Sequence, residues 1–285
     1  MFYIGYLAIL LTLLSFSFGD TIGKKVSTKF GNYSSALFIM GFGLIPLLIS
    51  LFFLPQNLTN YNFLLISVVA GFFLALGYVF IYKSLETEQA SNTWALINIS
   101  PAAMILFGAF ILQEHVNVFE LISIILVFVG VLLVTISRDF EFNKLLAPAL
   151  IGNVSWVLSS LLLIYGISSY SASVSTGFFL VAGASGFLML IAYLIATKKL
   201  SKELREKLAR PDLAALSAGL LNGAAHVGLT IFVLLHFVVV GSAVTAVEPA
   251  IVAFLGFAFY KERLTNLQLA GLMMSVIAAV ALSLF

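Results

Sequence analysis

Apolar runs of about 20 residues recur along nearly the whole chain, and each is the length a helix needs to cross a hydrocarbon core about 30 Å thick. They fall at roughly 2–22, 33–54, 62–82, 91–112, 117–137, 146–167, 172–196, 212–236, 240–259 and 266–285, separated by charges and turn residues. The composition, 62% hydrophobic and 9% charged with a mean hydropathy of +1.14, leaves too little polar surface to face water, since a soluble domain has about 45–50% apolar and about 25% charged residues. Lipid must therefore be the solvent. A backbone in lipid has to pair all its own N–H and C=O groups, as helices or as a closed barrel, and barrel strands alternate over only about 10 residues. The long continuous runs predict an all-α membrane protein with ten transmembrane helices.

The runs repeat. Asn98-Ile99-Ser100-Pro101, followed by an apolar stretch to Gln113-Glu114-His115, aligns without a gap with Ala246-Val247-Glu248-Pro249 and the stretch to Lys261-Glu262-Arg263, 148 residues further on. Gly71 with Gly219, and Gly108 with Gly256, keep the same offset; at the start of each half Ser15-Phe16 pairs best with Ser155-Trp156, 140 apart. The chain divides into a first five-helix unit at 1–137, a linker at 138–144 and a second five-helix unit at 145–285. Five is odd, so the second copy enters the membrane in the opposite sense, the inverted-repeat design of many secondary transporters.

All 14 lysines and arginines fall in the first, third, fifth, seventh and ninth connections. By the positive-inside rule those connections are cytoplasmic and both termini lie outside a plasma membrane. The run Met1 to Phe18 has no basic leader and no clear cleavage site, so it is read as the first span and not as a signal peptide. A net charge of +2 offers nothing to nucleic acid, and the absence of cysteine excludes disulfides and thiolate metal sites. No Gly-rich phosphate loop ending in Lys-Ser or Lys-Thr is present, His115, His226 and His236 are scattered, and no nucleophile elbow occurs. No cofactor or metal is expected.

Ten spans in two copies, with Pro101 and Pro249 in the fourth and ninth and Glu114 and Glu262 closing them, resemble the drug/metabolite transporter superfamily, in its ten-helix branch built from two EamA-type repeats. The resemblance covers nearly the whole chain and implies a carrier of small metabolites. Two features depart from the pattern. The glycine that often precedes the closing glutamate is Gln113 and Lys261 here, and two-repeat members generally keep both termini in the cytoplasm, opposite to the charge count.

An ionisable group at mid-membrane calls for an explanation. Glu248, directly before Pro249 in the ninth span, is the clearest: a carboxylate beside backbone carbonyls freed by a proline suits a substrate amine or a coupling proton, and a hydrogen-bonded structural glutamate is the rival reading. His226 shares a helical face with Asn222 and Thr230, and the offset maps that face onto Leu74, Tyr78 and Tyr82 in the third span. Trp94 and Asn98 in the fourth span, Asn153 and Trp156 in the sixth and Ser15 in the first complete the candidate cavity, with Pro101 and Pro249 as helix breaks. Interhelical hydrogen bonding alone is the competing account of the amides. Asp20 and Lys24 read as a four-spaced pair at the end of the first span, Glu86, Glu88, Glu114 and Glu262 as span ends meeting water or nearby basic groups, and Lys198 to Arg210 as a solvated helix touching lipid heads. Gly41, Gly43, Gly183 and Gly186 read as sites of close helix approach.

These observations point to a carrier that alternates access around a cavity lined by the third, fourth, eighth and ninth spans, with contributions from the first and sixth. It would export an amino acid or related zwitterion, with protons as the coupling ion through Glu248 or His226, or run as a simple facilitator. Its partners are a small-molecule solute and membrane lipid, and a single chain already holds both halves, so a monomer is the expected unit. Three other classes stand beside it: an intramembrane enzyme or lipid-modifying protein using Glu248 and His226 as acid and base, a uniporter for sugars or other neutral metabolites, and a channel or scaffold. The cysteine-free chain makes the topology measurable. A cysteine introduced at Lys202 should react with a membrane-impermeant maleimide only after permeabilisation, and one at Asn57 should react in intact cells; the reverse pattern would put the termini inside.

Overall fold

The computed structural model describes residues 2–54, 61–87, 99–135, 146–169, 175–235, 238–260 and 265–282. Trp94, Asn98, Glu88, Glu262, His236 and the 138–144 linker lie outside them, and the side chain of Pro101 is likewise not described. The described chain is a bundle of helices: α1 (Phe2–Phe30), α2 (Asn32–Ser50), α3 (Tyr61–Thr87), α4 (Ile99–Phe110), α5 (Val118–Thr135), α6 (Leu146–Ser169), α7 (Ser175–Ala196), α8 (Lys202–Leu208), α9 (Leu213–Leu234), α10 (Val238–Thr245), α11 (Glu248–Tyr260) and α12 (Asn266–Leu282). Among the described residues seven stretches, one of them α10 and α11 together, are long and apolar enough to cross a membrane, and α5 and α12 carry shorter apolar segments.

Two elements differ from the expected spans. The first helix does not stop near residue 22 but runs to Phe30, so Lys24, Lys25 and Lys29 lie on its last turns. At about 1.5 Å per residue its 29 residues exceed the hydrocarbon thickness, and the lysine-bearing end reaches the headgroups. Gly31 ends it, at φ 83°, with its N–H on the Ser27 carbonyl at 2.8 Å, and the same residue precedes α2. Only glycine takes that left-handed conformation without strain, so a one-residue connection suffices. The ninth span is broken: the chain turns at Ala246–Val247, and Pro249 then sits in the first turn of α11, where its missing N–H costs no helix bond.

The caps follow the repeat. Asn117 and Glu120 bond reciprocally across the start of α5 (2.7 and 2.9 Å), and Thr265 and Gln268 do the same for α12 (2.9 and 3.2 Å). These are capping boxes at equivalent positions of the two halves. Glu114, expected in water, instead accepts the N–H groups of Val238 (3.0 Å) and Val239 (2.8 Å), so the end of α4 in one repeat caps the start of α10 in the other. On the opposite, basic side Asp212 caps α9 through the Ala215 N–H at 2.9 Å and receives Lys29 Nζ at 2.7 Å, tying α1 to α9. Burial pushes the Asp212 carboxyl up, but the Lys29 hydrogen bond, the helix N–H groups and the Lys29 charge outweigh it and hold it below the ordinary carboxylate range.

Packing shows the same two-fold relation. α1 lies along α9 as α6 lies along α3, and α2 packs on α9 as α7 packs on α3. Thr12 sits against Ala225 and Gly228, and Gly152, 140 residues later, sits against Gly77 and Ile81, which are the matching stretch of α3. Backbones touch where α2 crosses α9 at Gly43 and Gly223, and where α7 crosses α3 at Gly186 and Gly71; a Cβ on Gly223 would lie 2.9 Å from the Gly43 Cα. In lipid such small-residue crossings supply the contact that a hydrophobic effect supplies in water. Replacing Gly223 with Ala should cost about 1–3 kcal/mol of overpacking and lower the melting temperature in detergent, while Gly19→Ala, whose Cβ would meet its nearest neighbours at 3.4 Å, should leave it unchanged; equal shifts would mean the crossing is not tight.

Candidate functional site

Two apolar cores, one around Phe63, Leu163, Phe232 and Val238 and one around Val26, Phe38, Ile81 and Leu194, close the two ends of the bundle, and buried polar groups collect between them. Tyr78 on α3 and His226 on α9 are repeat equivalents, and they meet: the phenol oxygen lies 3.4 Å from His226 Nε2. The same hydroxyl donates a short hydrogen bond to Oδ1 of Asn222, one turn earlier on α9. Rings surround the pair. Tyr82 stacks on Tyr78 at 6.1 Å and Trp156 meets it edge-on at 5.3 Å, while His226 stacks on Phe179 at 4.9 Å and takes the edge of Phe16 at 5.3 Å. His226 Nδ1 is buried without a hydrogen-bond partner.

A second polar centre lies beside the first. Asp20 on α1 is 2% exposed, and its carboxyl hydrogen-bonds the carboxyl of Glu248 at the start of α11. No amide or hydroxyl donates to its buried Oδ2. Two carboxylates cannot bond each other, so one of the two carries the hydrogen. Asp20 was expected to pair with Lys24 at a span end; the longer α1 places it a turn deeper, where its charged neighbour is Glu248. Sequence reasoning missed it because lysines were taken as the edge of the span. The signal available was an aspartate inside the reach of an otherwise apolar helix.

Of the other expected residues, Asn222 and Tyr82 are buried beside Tyr78, Trp156 is half-buried on its ring, and Asn153 is fully buried one turn before Trp156 on α6. Ser15 is buried on α1 one residue before Phe16. The space left at the centre is small, about 20 Å³, room for about one water. Its walls are Tyr78, Asn222 and His226 together with Ile39, Met40 and Gly43 of α2 and Phe179 of α7. The second and seventh spans, not anticipated as walls, thus line the cavity, and Glu248 is not among its lining residues. His226 Nε2 faces Tyr78 and Nδ1 has no hydrogen-bond partner, so no hydrogen bond joins His226 to Glu248. A larger groove of about 630 Å³ lies between α2, α7 and α8, lined by apolar side chains and Arg205, and faces away from this centre. No group of three or more metal-ligating side chains occurs among the described residues.

The EamA-like transporter family matches residues 3–136 and again 143–284. The chain belongs to this family. It is similar to the uncharacterized transporter YxxF of Bacillus subtilis (strain 168), 29% identical over 86 residues, which are 30% of this chain and 28% of that protein's length. A crystal structure described only as that of a protein superimposes with a TM-score of 0.64 over 98% of this chain and 94% of its own, at 15% identity, which shows the fold alone. The EamA-type protein is thus an all-α, multi-pass membrane protein with two copies of one repeat.

Removing the Tyr78 hydroxyl leaves the buried Asn222 Oδ1 without its donor, at a cost of about 1–3 kcal/mol. Tyr78→Phe should lower the melting temperature in detergent, and adding Asn222→Leu should recover part of the loss, because an apolar pair leaves nothing unpaired. Additive losses would show that the two residues do not depend on each other.

Proposed function

We propose that this chain exports a small zwitterionic metabolite such as an amino acid by alternating access, working as a monomer of two inverted units, 1–137 and 145–285 joined by 138–144, in the plasma membrane. The observation that carries the reading is the meeting of the repeat-related Tyr78 and His226, with Asn222, on one wall of a small, mostly apolar cavity between the halves. A solute site on the seam between two units is what rocking one unit against the other can expose to either face in turn.

The donors and acceptors fit a zwitterion. With its Oδ1 engaged by Tyr78, Asn222 keeps its amide N–H groups for a solute carboxylate, and His226 Nδ1 offers a further position without a protein partner. The faces of Tyr82, Trp156 and Phe179 suit a solute ammonium and its apolar side chain. The cavity of about 20 Å³ is too small for an amino acid, so binding requires α2 and α7 to move outward from α9 and α3. Glu248 carries the drive in this reading, as the group that takes up a proton against solute movement. Both termini outside the cell follow from the lysine and arginine count.

The test is uptake and efflux of a labelled amino-acid panel in proteoliposomes. At least one member should move saturably with wild-type protein, and Asn222→Leu should reduce its kcat/KM by about tenfold or more, as expected for one lost hydrogen bond to a charged group. Flux of the panel no faster than through empty liposomes would sink this reading, and conductance without saturation would replace the carrier with a channel.

A further inference from the structure

We infer that Asp20 and Glu248 act as one proton-binding unit, a carboxyl pair bridging the two repeats that holds the coupling proton apart from the cavity that holds the solute. The inference rests on the carrier reading and names its coupling site. Three observations support it. The two carboxyls are hydrogen-bonded to each other, one from α1 and one from the start of α11 just after the helix break. Asp20 is 2% exposed, and no amide or hydroxyl donates to its Oδ2. Neither residue lines the cavity formed by Tyr78, Asn222 and His226.

The ionisable neighbours are few. α3 contributes the phenols Tyr78 and Tyr82, both of which feel the charge of Asp20. α9 contributes His226, which is engaged with Tyr78. On α1 the next charged residue is Lys24, one turn on; α2 has only Tyr33 in its first turn, α10 and α12 have none, and α5 has Glu120, engaged in its own cap. The pair therefore keeps a single negative charge only while it holds one proton. When α1 and α11 part toward water, the O–H bond breaks, the proton passes to a water molecule as hydronium, and two carboxylates remain. Their mutual repulsion opposes closure until a proton is taken back from whichever face is open. Because one acid belongs to each repeat, the hydrogen bond that needs the proton forms only when the halves come together.

Infrared spectra of the full chain in proteoliposomes read the proton directly. Wild type should show a protonated-carboxyl C=O band that disappears in Asp20→Asn and also in Glu248→Gln, since in either case an amide donates to the remaining carboxylate and no shared proton is needed; Asp20→Glu should keep it. A band surviving either amide substitution overturns the inference, as does its absence from wild type. In the flux assay, Asp20→Asn should lose about tenfold or more of pH-gradient-driven accumulation of the amino acid that wild type transports, with gradient-free exchange retained. Gradient-driven accumulation unchanged in that variant overturns the coupling role while leaving the carrier standing. A wild type that shows the shared-proton band yet moves no amino acid overturns the carrier reading, and the coupling role with it, while leaving the pair as a proton site.

Discussion

Lipid offers no hydrogen bonds, and this one absence shapes the molecule at every level. It makes the backbone helical, and it sends buried hydroxyls back onto their own helix, as Thr12, Ser17 and Thr21 bond the carbonyls four residues earlier. It also forces helix ends to find caps inside the protein. Where α10 begins in the bundle, the cap comes from Glu114 of the other repeat; where α5 and α12 begin, it comes from their own first turns. Polar side chains that cannot be satisfied locally gather where the halves meet, because only another protein group can serve them there.

The two halves meet through glycine. With Gly43 on Gly223 and Gly71 on Gly186, backbones approach closely, and α3 and α9 are each packed between helices of the other half. That geometry brings Tyr78 opposite its own repeat equivalent, His226. The residues on the seam are thus placed by the same close crossings that stabilise the fold. The outward movement of α2 and α7 in the proposed transport cycle would part those crossings, so the contacts that hold the fold are also the ones that keep the cavity small.

Much of this was legible in the sequence, and the limits have physical causes. The offset of 148 that relates Pro101 to Pro249 also relates Tyr78 to His226 and the capping pairs Asn117 with Glu120 and Thr265 with Gln268; repetition survives because both copies must solve the same packing problem. Helix ends were read less well, since lysines at the close of α1 can lie on a helix and still reach the headgroups. That misplacement hid Asp20. The walls on α2 and α7 were invisible for a different reason: Ile39, Met40 and Gly43 carry no chemistry that distinguishes a cavity wall from a lipid-facing surface. Trp94 and Asn98 lie outside the described residues.

Repetition accounts for the frame but not for the carboxyl pair. At the offsets that relate the halves in sequence, the counterpart of Glu248 is Ser100 and the counterpart of Asp20 is Ser160. A serine hydroxyl is neutral at every working pH and a carboxyl is not, so the two halves, alike in fold, differ in the ionisable groups they carry at these positions. An inverted repeat with identical seams would give its inward and outward arrangements equal energy. In the proposed coupling, the acidic pair removes that equality, and the proton on it selects the arrangements the halves can reach.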